Sequence, residues 1–184
     1  MTETTAPSQA RVEAIHVARD RGLPPRPVEL VRATPGAGLE GDRYADGRGT
    51  WGRRGERGRG RDLTLVEAEE VERLALEFGI ELAPGETRRN VTTRGIRLND
   101  LVGRRFRIGE VVCEGVRLCE PCTYLEEVTG RSIREPLLHR AGLRADIVTG
   151  GVIAVGDPIG DLGSAPVQQA VEGEPASRPA ARAR

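Results

Sequence analysis

The chain has 184 residues, 28 basic and 28 acidic, so its formal net charge is zero; that length suits one globular domain, and the charge balance argues against a general nucleic-acid or membrane-surface binder. Every basic residue is arginine, which excludes Schiff-base chemistry on lysine, including pyridoxal phosphate on this chain. No apolar run has the length of a membrane span, Met1 to Arg11 lacks the apolar centre of a secretion signal, and three clustered cysteines do not make a disulfide framework, so a reduced, cytoplasmic setting is expected.

Residues 1–10 read as a disordered leader, 11–162 as the folded domain, and 163–184 as a disordered tail rich in Ala, Pro, Gly, Glu and Arg. Val12 to Val17 alternates apolar and polar positions, the period of a half-buried strand. Further strands are expected at Val28 to Val31, Arg61 to Leu65, Phe106 to Ile108, Val111 to Val116, Ala145 to Val148 and Val152 to Val155, with turn residues between most of them. The segment Gly47 to Gly60 is too rich in Gly and Arg to build a core and reads as a surface loop, suited to covering an anionic ligand. Three stretches look helical. Leu65 to Phe78 follows a Thr64–Glu67 capping box and ends at Gly79. Thr123 to Val128 follows a Thr123–Glu126 box and ends at Gly130, and a third helix is expected from Ser132 to Ala141, ending at Gly142. His16 falls in the first strand and His139 on the third helix. Many short strands with few helices point to a mainly β fold, a compact β-barrel with short peripheral helices.

Cys119 and Cys122 form a Cys-x-x-Cys pair, with Cys113 six residues earlier. One reading is a structural zinc site, for which the three cysteines, His16 and His139 supply enough ligands but no second Cys-x-x-Cys and no paired-His motif. Another is a dithiol redox centre, although the sequence around it lacks a thioredoxin-like βαβ pattern. The third is a single reactive thiolate at Cys122, placed where a helix N-terminus stabilises negative charge. Cys113, inside an apolar strand, reads as an ordinary core cysteine.

Four segments, in order, resemble the MOSC domain, the C-terminal domain of molybdenum-cofactor sulfurases, which also occurs alone in bacteria. They are Gly38-Leu39-Glu40-Gly41-Asp42-Arg43, the run from Glu86 to Ile96 containing Arg88-Arg89-Asn90, Cys119-Glu120-Pro121-Cys122, and Gly150 to Asp157. The resemblance spans about residues 12–160 and implies a β-barrel that binds the molybdenum cofactor, a molybdopterin. It implies Cys122 as the functional cysteine, either ligating molybdenum or carrying sulfur as a persulfide, with Arg88 and Asn90 holding the pterin phosphate and nearby groups.

Arginine suits an anionic pterin because it grips phosphate bidentately, and Asn90 offers both a donor and an acceptor. Arg43, Arg89 and Arg94 can add positive potential, with Arg94 equally well read as a surface residue. The preceding β-domain of the family's amidoxime-reducing relatives and the aminotransferase-like domain of the sulfurases are not expected here. A sulfur carrier of this kind is therefore expected to receive sulfur from a donor such as a cysteine desulfurase. The alternatives are a molybdenum-dependent reductase of N-hydroxylated compounds, served by an electron-donor protein, and a non-enzymatic metal- or pterin-binding module. No nucleic-acid or membrane partner is expected.

Overall fold

The computed structural model describes residues 9–46 and 58–164. In chain order the elements are β1 (Arg11–Val17), β2 (Arg26–Val28), β3 (Leu30–Thr34), β4 (Gly38–Leu39), β5 (Leu63–Glu67), α1 (Ala68–Phe78), β6 (Val91–Arg94), a single 3-10 turn (Leu98–Leu101), β7 (Arg104–Ile108), β8 (Val111–Leu118), α2 (Thr123–Thr129), β9 (Leu143–Thr149), β10 (Gly151–Ala154) and β11 (Ile159–Ser164). Eight strands form one sheet in the order β11-β7-β8-β9-β5-β6-β1-β2, and β10-β3-β4 form a second. All named pairs are antiparallel except β5 with β6, and α1 is part of the long crossover a parallel pair requires.

One apolar core joins the two sheets. Val31, Ala33, Leu39 and Ile153 of the small sheet meet Ile15, Leu65, Phe106, Ile108, Val111 and Leu143 of the large one. Burying an aliphatic or aromatic side chain of this kind contributes about 1.5–3 kcal/mol each. A smaller cluster lies beside it, where Leu74 of α1 and Leu125 of α2 pack with Ile133, Leu137 and Ala141. The mainly β, barrel-like architecture expected from the strand count is observed.

Several local expectations are corrected. Residues Thr64 to Glu67 belong to β5 and not to a helix, because Leu63 and Leu65 pair with Ala145 and Leu143 on one side while Leu65 pairs with Val91 on the other. The helix starts at Ala68, and its preceding residue, Glu67, makes no capping bond. Instead the Glu67 carboxylate accepts from the Leu98 amide at 2.8 Å. The Gly79 C-cap stands as expected, left-handed with φ 63°.

α2 likewise ends at a left-handed Gly130, but its N-cap is Cys122 and no side chain caps it. Glu126 accepts from the Arg134 amide and not from its own N-terminus. The third expected helix is a series of turns. Ile133, Leu137 and Ala141 are buried at four-residue spacing, which imitates a helix. Pro136 lacks a donor, and His139, expected on that helix, adopts a left-handed φ of 60° that ends any helical run. Val28 to Val31 is split between two sheets, and β11 runs to Ser164, two residues past the boundary read from composition. The leader through residue 8, residues 47–57 of the Gly/Arg-rich loop, and the tail from residue 165 lie outside the described residues. Among the described residues no helix is long and apolar enough to cross a membrane.

Candidate functional site

A cavity of about 550 Å³ opens where the segment after β1, the Asp42–Tyr44 turn, the residues entering β6 and the β8–α2 junction converge. Six arginines line it (Arg21, Arg43, Arg61, Arg88, Arg89, Arg144) against three carboxylates, Asp42, Glu120 and Glu127. Excess positive potential in a concave site favours an anionic ligand. Of the site candidates named from the sequence, Arg43, Arg88, Arg89, Asn90 and Cys122 line this cavity and Arg94 does not. Their roles in the structure differ.

Asn90 is a clasp. Its Oδ1 accepts from the Thr64 amide at 3.2 Å and the Thr64 hydroxyl at 2.8 Å, while its Nδ2 donates to Asp42 at 3.2 Å and to the His16 carbonyl at 3.4 Å. The side chain thus ties β1, β5 and the Gly41-Asp42 turn together, and neither end of its amide is left over for a pterin edge. Asp42 completes the knot, accepting from the Ala18 amide at 3.0 Å and the Tyr44 amide at 3.1 Å.

Arg89 is a buried clamp. Its guanidinium donates to the carbonyls of Ala141 and Cys119, both at 2.9 Å. The Cys119 amide in turn donates to Gly142 at 2.8 Å. The start of the Cys119–Cys122 segment is therefore held from both sides, and Glu120 adds a tether by accepting from the amide and Nδ1 of His139 at 2.9 and 2.8 Å.

Arg88 is different although it is adjacent. It adopts a left-handed φ of 56°, unusual outside glycine, which turns its side chain away from the direction Arg89 takes. Nη1 donates to the Leu23 carbonyl at 3.0 Å, and the guanidinium sits 5.6 Å from the Tyr124 ring centre. Its Nε and Nη2 are buried without a protein partner, as is Nε of Arg43. Burial pulls the Arg88 pKa below its ordinary value and Arg43 acts in the same direction, against Tyr124, Asp42 and Tyr44. A buried donor without an acceptor costs about 1–3 kcal/mol. Here the orphaned donors sit on the wall of a cavity, which is the arrangement an anion would satisfy.

The three cysteines do not act together. Cys113 is fully buried, and desolvation pushes its thiol up to about 12, with Asp62 and Asp146 adding to the effect. Cys119 is buried, while Cys122 is exposed on the cavity rim with its sulfur not engaged in capping α2. Among the described residues no group of three or more His, Cys, Asp and Glu is arranged to hold a metal. Arg94 lies outside the cavity lining, paired with Glu13 and Glu72 on the α1 side of the sheet. Sequence reasoning missed Tyr124, Arg21 and Arg144, whose types are ordinary on a surface helix, loop or strand. His16, weighed only as a zinc ligand or a strand residue, also lines the cavity.

Comparison with known proteins agrees with this architecture. The MOSC domain profile matches residues 52–160. The YuaD protein from Bacillus subtilis (APC1665) superposes with a TM-score of 0.70 at 21% identity, covering 85% of this chain and 97% of that one. YiiM from Geobacillus stearothermophilus gives 0.64 at 15% identity, with 83% and 75% covered. YiiM from Escherichia coli gives 0.61 at 21% identity, with 85% and 70% covered. At these identities the likeness establishes the fold alone. No curated protein sequence matches. The family profile covers more than half of the chain, and this protein belongs to the MOSC domain family, which is associated with molybdenum-cofactor binding.

Proposed function

We propose that this protein binds the molybdenum cofactor in the arginine-lined cavity and carries sulfur to it, or to a related metal–sulfur target, on Cys122. The observation that supports this reading is the pairing, on one cavity, of orphaned buried donors on Arg88 and Arg43 with an exposed thiol that is not engaged in capping α2. Those donors fit the anionic phosphate of a molybdopterin, with Arg88 already held by Leu23 and Tyr124 so that little side-chain entropy is lost on binding. When bound, the cofactor would supply a metal centre able to accept sulfur. Asn90 and Arg89 position the site and do not contact the ligand through their engaged atoms.

Loading of Cys122 needs no external oxidant or reductant. Cys122 loses its proton, and its thiolate attacks the outer sulfur of a persulfide on a donor protein such as a cysteine desulfurase. A new S–S bond forms at Cys122 as the donor's bond breaks, and the donor cysteine leaves as a thiolate that takes up the proton. Onward transfer of the outer sulfur would return Cys122 to a thiolate, with the two electrons that bring that sulfur to the sulfide level supplied by a reduced acceptor or a thiol reductant. The exposure of Cys122 suits a macromolecular donor, whereas Cys113, buried and with its thiol pushed up to about 12, is inert to such exchange. The reaction belongs to a reducing compartment, in keeping with a cytoplasmic location.

The test is to incubate the purified protein with a persulfide donor and locate the added sulfur by mass spectrometry. One sulfur on Cys122, none on Cys113 or Cys119, and loss of the adduct in Cys122→Ser are expected. In parallel, protein from a host that makes the cofactor should carry molybdenum and pterin in amounts that fall in Arg88→Ala. Stoichiometric molybdenum lost in Cys122→Ser, with no sulfur uptake, would instead favour the reductase reading.

A further inference from the structure

His16 is buried on β1, 3% exposed, and lines the same cavity. Its neighbours Ile15 and Val17 belong to the apolar core, so alternation turns the imidazole to the other face of the sheet. The backbone is held on both sides by Asn90, whose carbonyl accepts from the His16 amide at 2.7 Å and whose Nδ2 donates to the His16 carbonyl. The ring is not held in the same way, because Nδ1 is buried without any partner.

Gly85 shows that the ring's place is built into the fold. It has φ 82°, and a Cβ there would lie 2.8 Å from Cδ2 and 3.2 Å from Nε2 of His16. A side chain at residue 85 would displace the imidazole, so the glycine turn packs directly on its Cδ2–Nε2 edge. Nδ1 lies across the ring from that edge. Leaving such a nitrogen desolvated and unpaired costs about 1–3 kcal/mol, and no contact within the fold offsets it.

We propose that His16 is a ligand-contacting residue, its Nδ1 completing with the orphaned donors of Arg43 and Arg88 a site for a protonated oxyanion, a hydrogen phosphate or a phosphomonoester. The proposal rests on the reading of this cavity as an anion site and deepens it. The arginines only donate, so they recognise the bare oxygens of such a group. A neutral imidazole also accepts, so it suits the remaining O–H. Burial lowers the His16 pKa, which keeps the ring neutral in the absence of an anion. The charged groups that line the cavity with it are Asp42 and Arg43 from the turn after β4, Arg61 before β5, Arg88 and Arg89 before β6, Glu120 and Glu127 around α2, Arg144 on β9 and Arg21 after β1. A bound anion places negative charge beside the desolvated ring and favours a proton on it. Anion binding therefore raises the His16 pKa, and by linkage the anion binds more tightly as pH falls through that range.

The chain has only two histidines, so ring-nitrogen NMR of histidine-labelled protein reads both directly, and His139→Asn assigns them. Inorganic phosphate is titrated against chloride at matched ionic strength. The expected result is a shifted His16 Nδ1 resonance and a raised His16 pKa, both lost in Arg88→Met, with His139 unmoved. In His16→Phe, phosphate binding should weaken about tenfold near pH 6. Methyl phosphate as a second probe separates an ester site, where it acts as phosphate does, from a free-phosphate site, where it does not. Arg88-dependent phosphate binding with an unmoved His16 resonance overturns the role of His16 and leaves the anion site standing. Absence of phosphate binding overturns both.

Discussion

Arg88 and Arg89 are adjacent, identical in type and opposite in role, and replacing each with methionine separates the two. Arg89 is 9% exposed and donates to two carbonyls at 2.9 Å. Bonds from a charged donor contribute about 1.5–3 kcal/mol each, and methionine keeps most of the volume while leaving the Ala141 and Cys119 carbonyls without donors. A loss of about 3 kcal/mol is expected for Arg89→Met. At about 2–4 °C per kcal/mol for a chain of this size, the Tm should fall by about 6–12 °C. Arg88→Met loses one exposed bond to Leu23, worth about 1 kcal/mol, and a cation–π contact worth about 0.5 kcal/mol. It also removes a desolvated charge with two buried, unpartnered nitrogens, a relief of about 1–3 kcal/mol. The two effects largely offset each other, so stability should stay within about 1.5 kcal/mol of the wild type while anion binding disappears. Scanning calorimetry with phosphate titration of both variants is the assay. Equal stability losses in the two, or phosphate binding retained in Arg88→Met, would refute the division of roles.

Gly142 has φ 110°, and a Cβ there would meet the Leu65 carbonyl oxygen at 1.8 Å, so Gly142→Ala should cost more than about 4 kcal/mol or prevent folding. Gly79→Ala, left-handed but open on all sides, should cost only about 1 kcal/mol by urea denaturation; similar losses at the two positions would count against the close approach. Desolvation raises the Glu70 pKa, but its ion pairs with Arg73, Arg97 and Arg140 outweigh this and hold it below the ordinary 4.5. A depressed carboxylate contributes stability above its unfolded pKa and loses it as pH falls through the folded one. Glu70→Gln should thus lose about 2 kcal/mol near pH 7, with the deficit shrinking below pH 4.5. A deficit of the same size at about pH 3.5 would show that packing and not charge sets it.

The amino-acid sequence alone determined what depends on neighbours a few residues apart. Alternation marked β1, clusters of β-branched residues marked β7 to β10, and glycine at 79 and 130 marked the two helix ends, because the left-handed backbone there favours it. Pro121 and the run after Cys122 placed that cysteine at the start of α2. The order of the Gly-Asp, Arg-x-Asn, Cys-x-x-Cys and closing glycine segments identified the family and with it the residues of one cavity.

Only the tertiary structure decided what those residues do. Thr64 has the local pattern of a helix cap, yet pairing of Leu65 with strands on both sides keeps it extended, since sheet hydrogen bonds outweigh a local propensity of under about 1 kcal/mol. Ile133, Leu137 and Ala141 carry a helical period that Pro136 and His139 break. Nothing in Arg88-Arg89-Asn90 says which arginine clamps a buried carbonyl pair and which keeps unpartnered donors at the cavity, because the partners Ala141, Cys119 and Leu23 lie far along the chain. The same is true of His16, whose Nδ1 is buried without a partner while Gly85, far along the chain, packs on the opposite edge of the ring. Burial and partnership are set by contacts between distant segments, and those contacts turn a list of chemically suitable residues into a site.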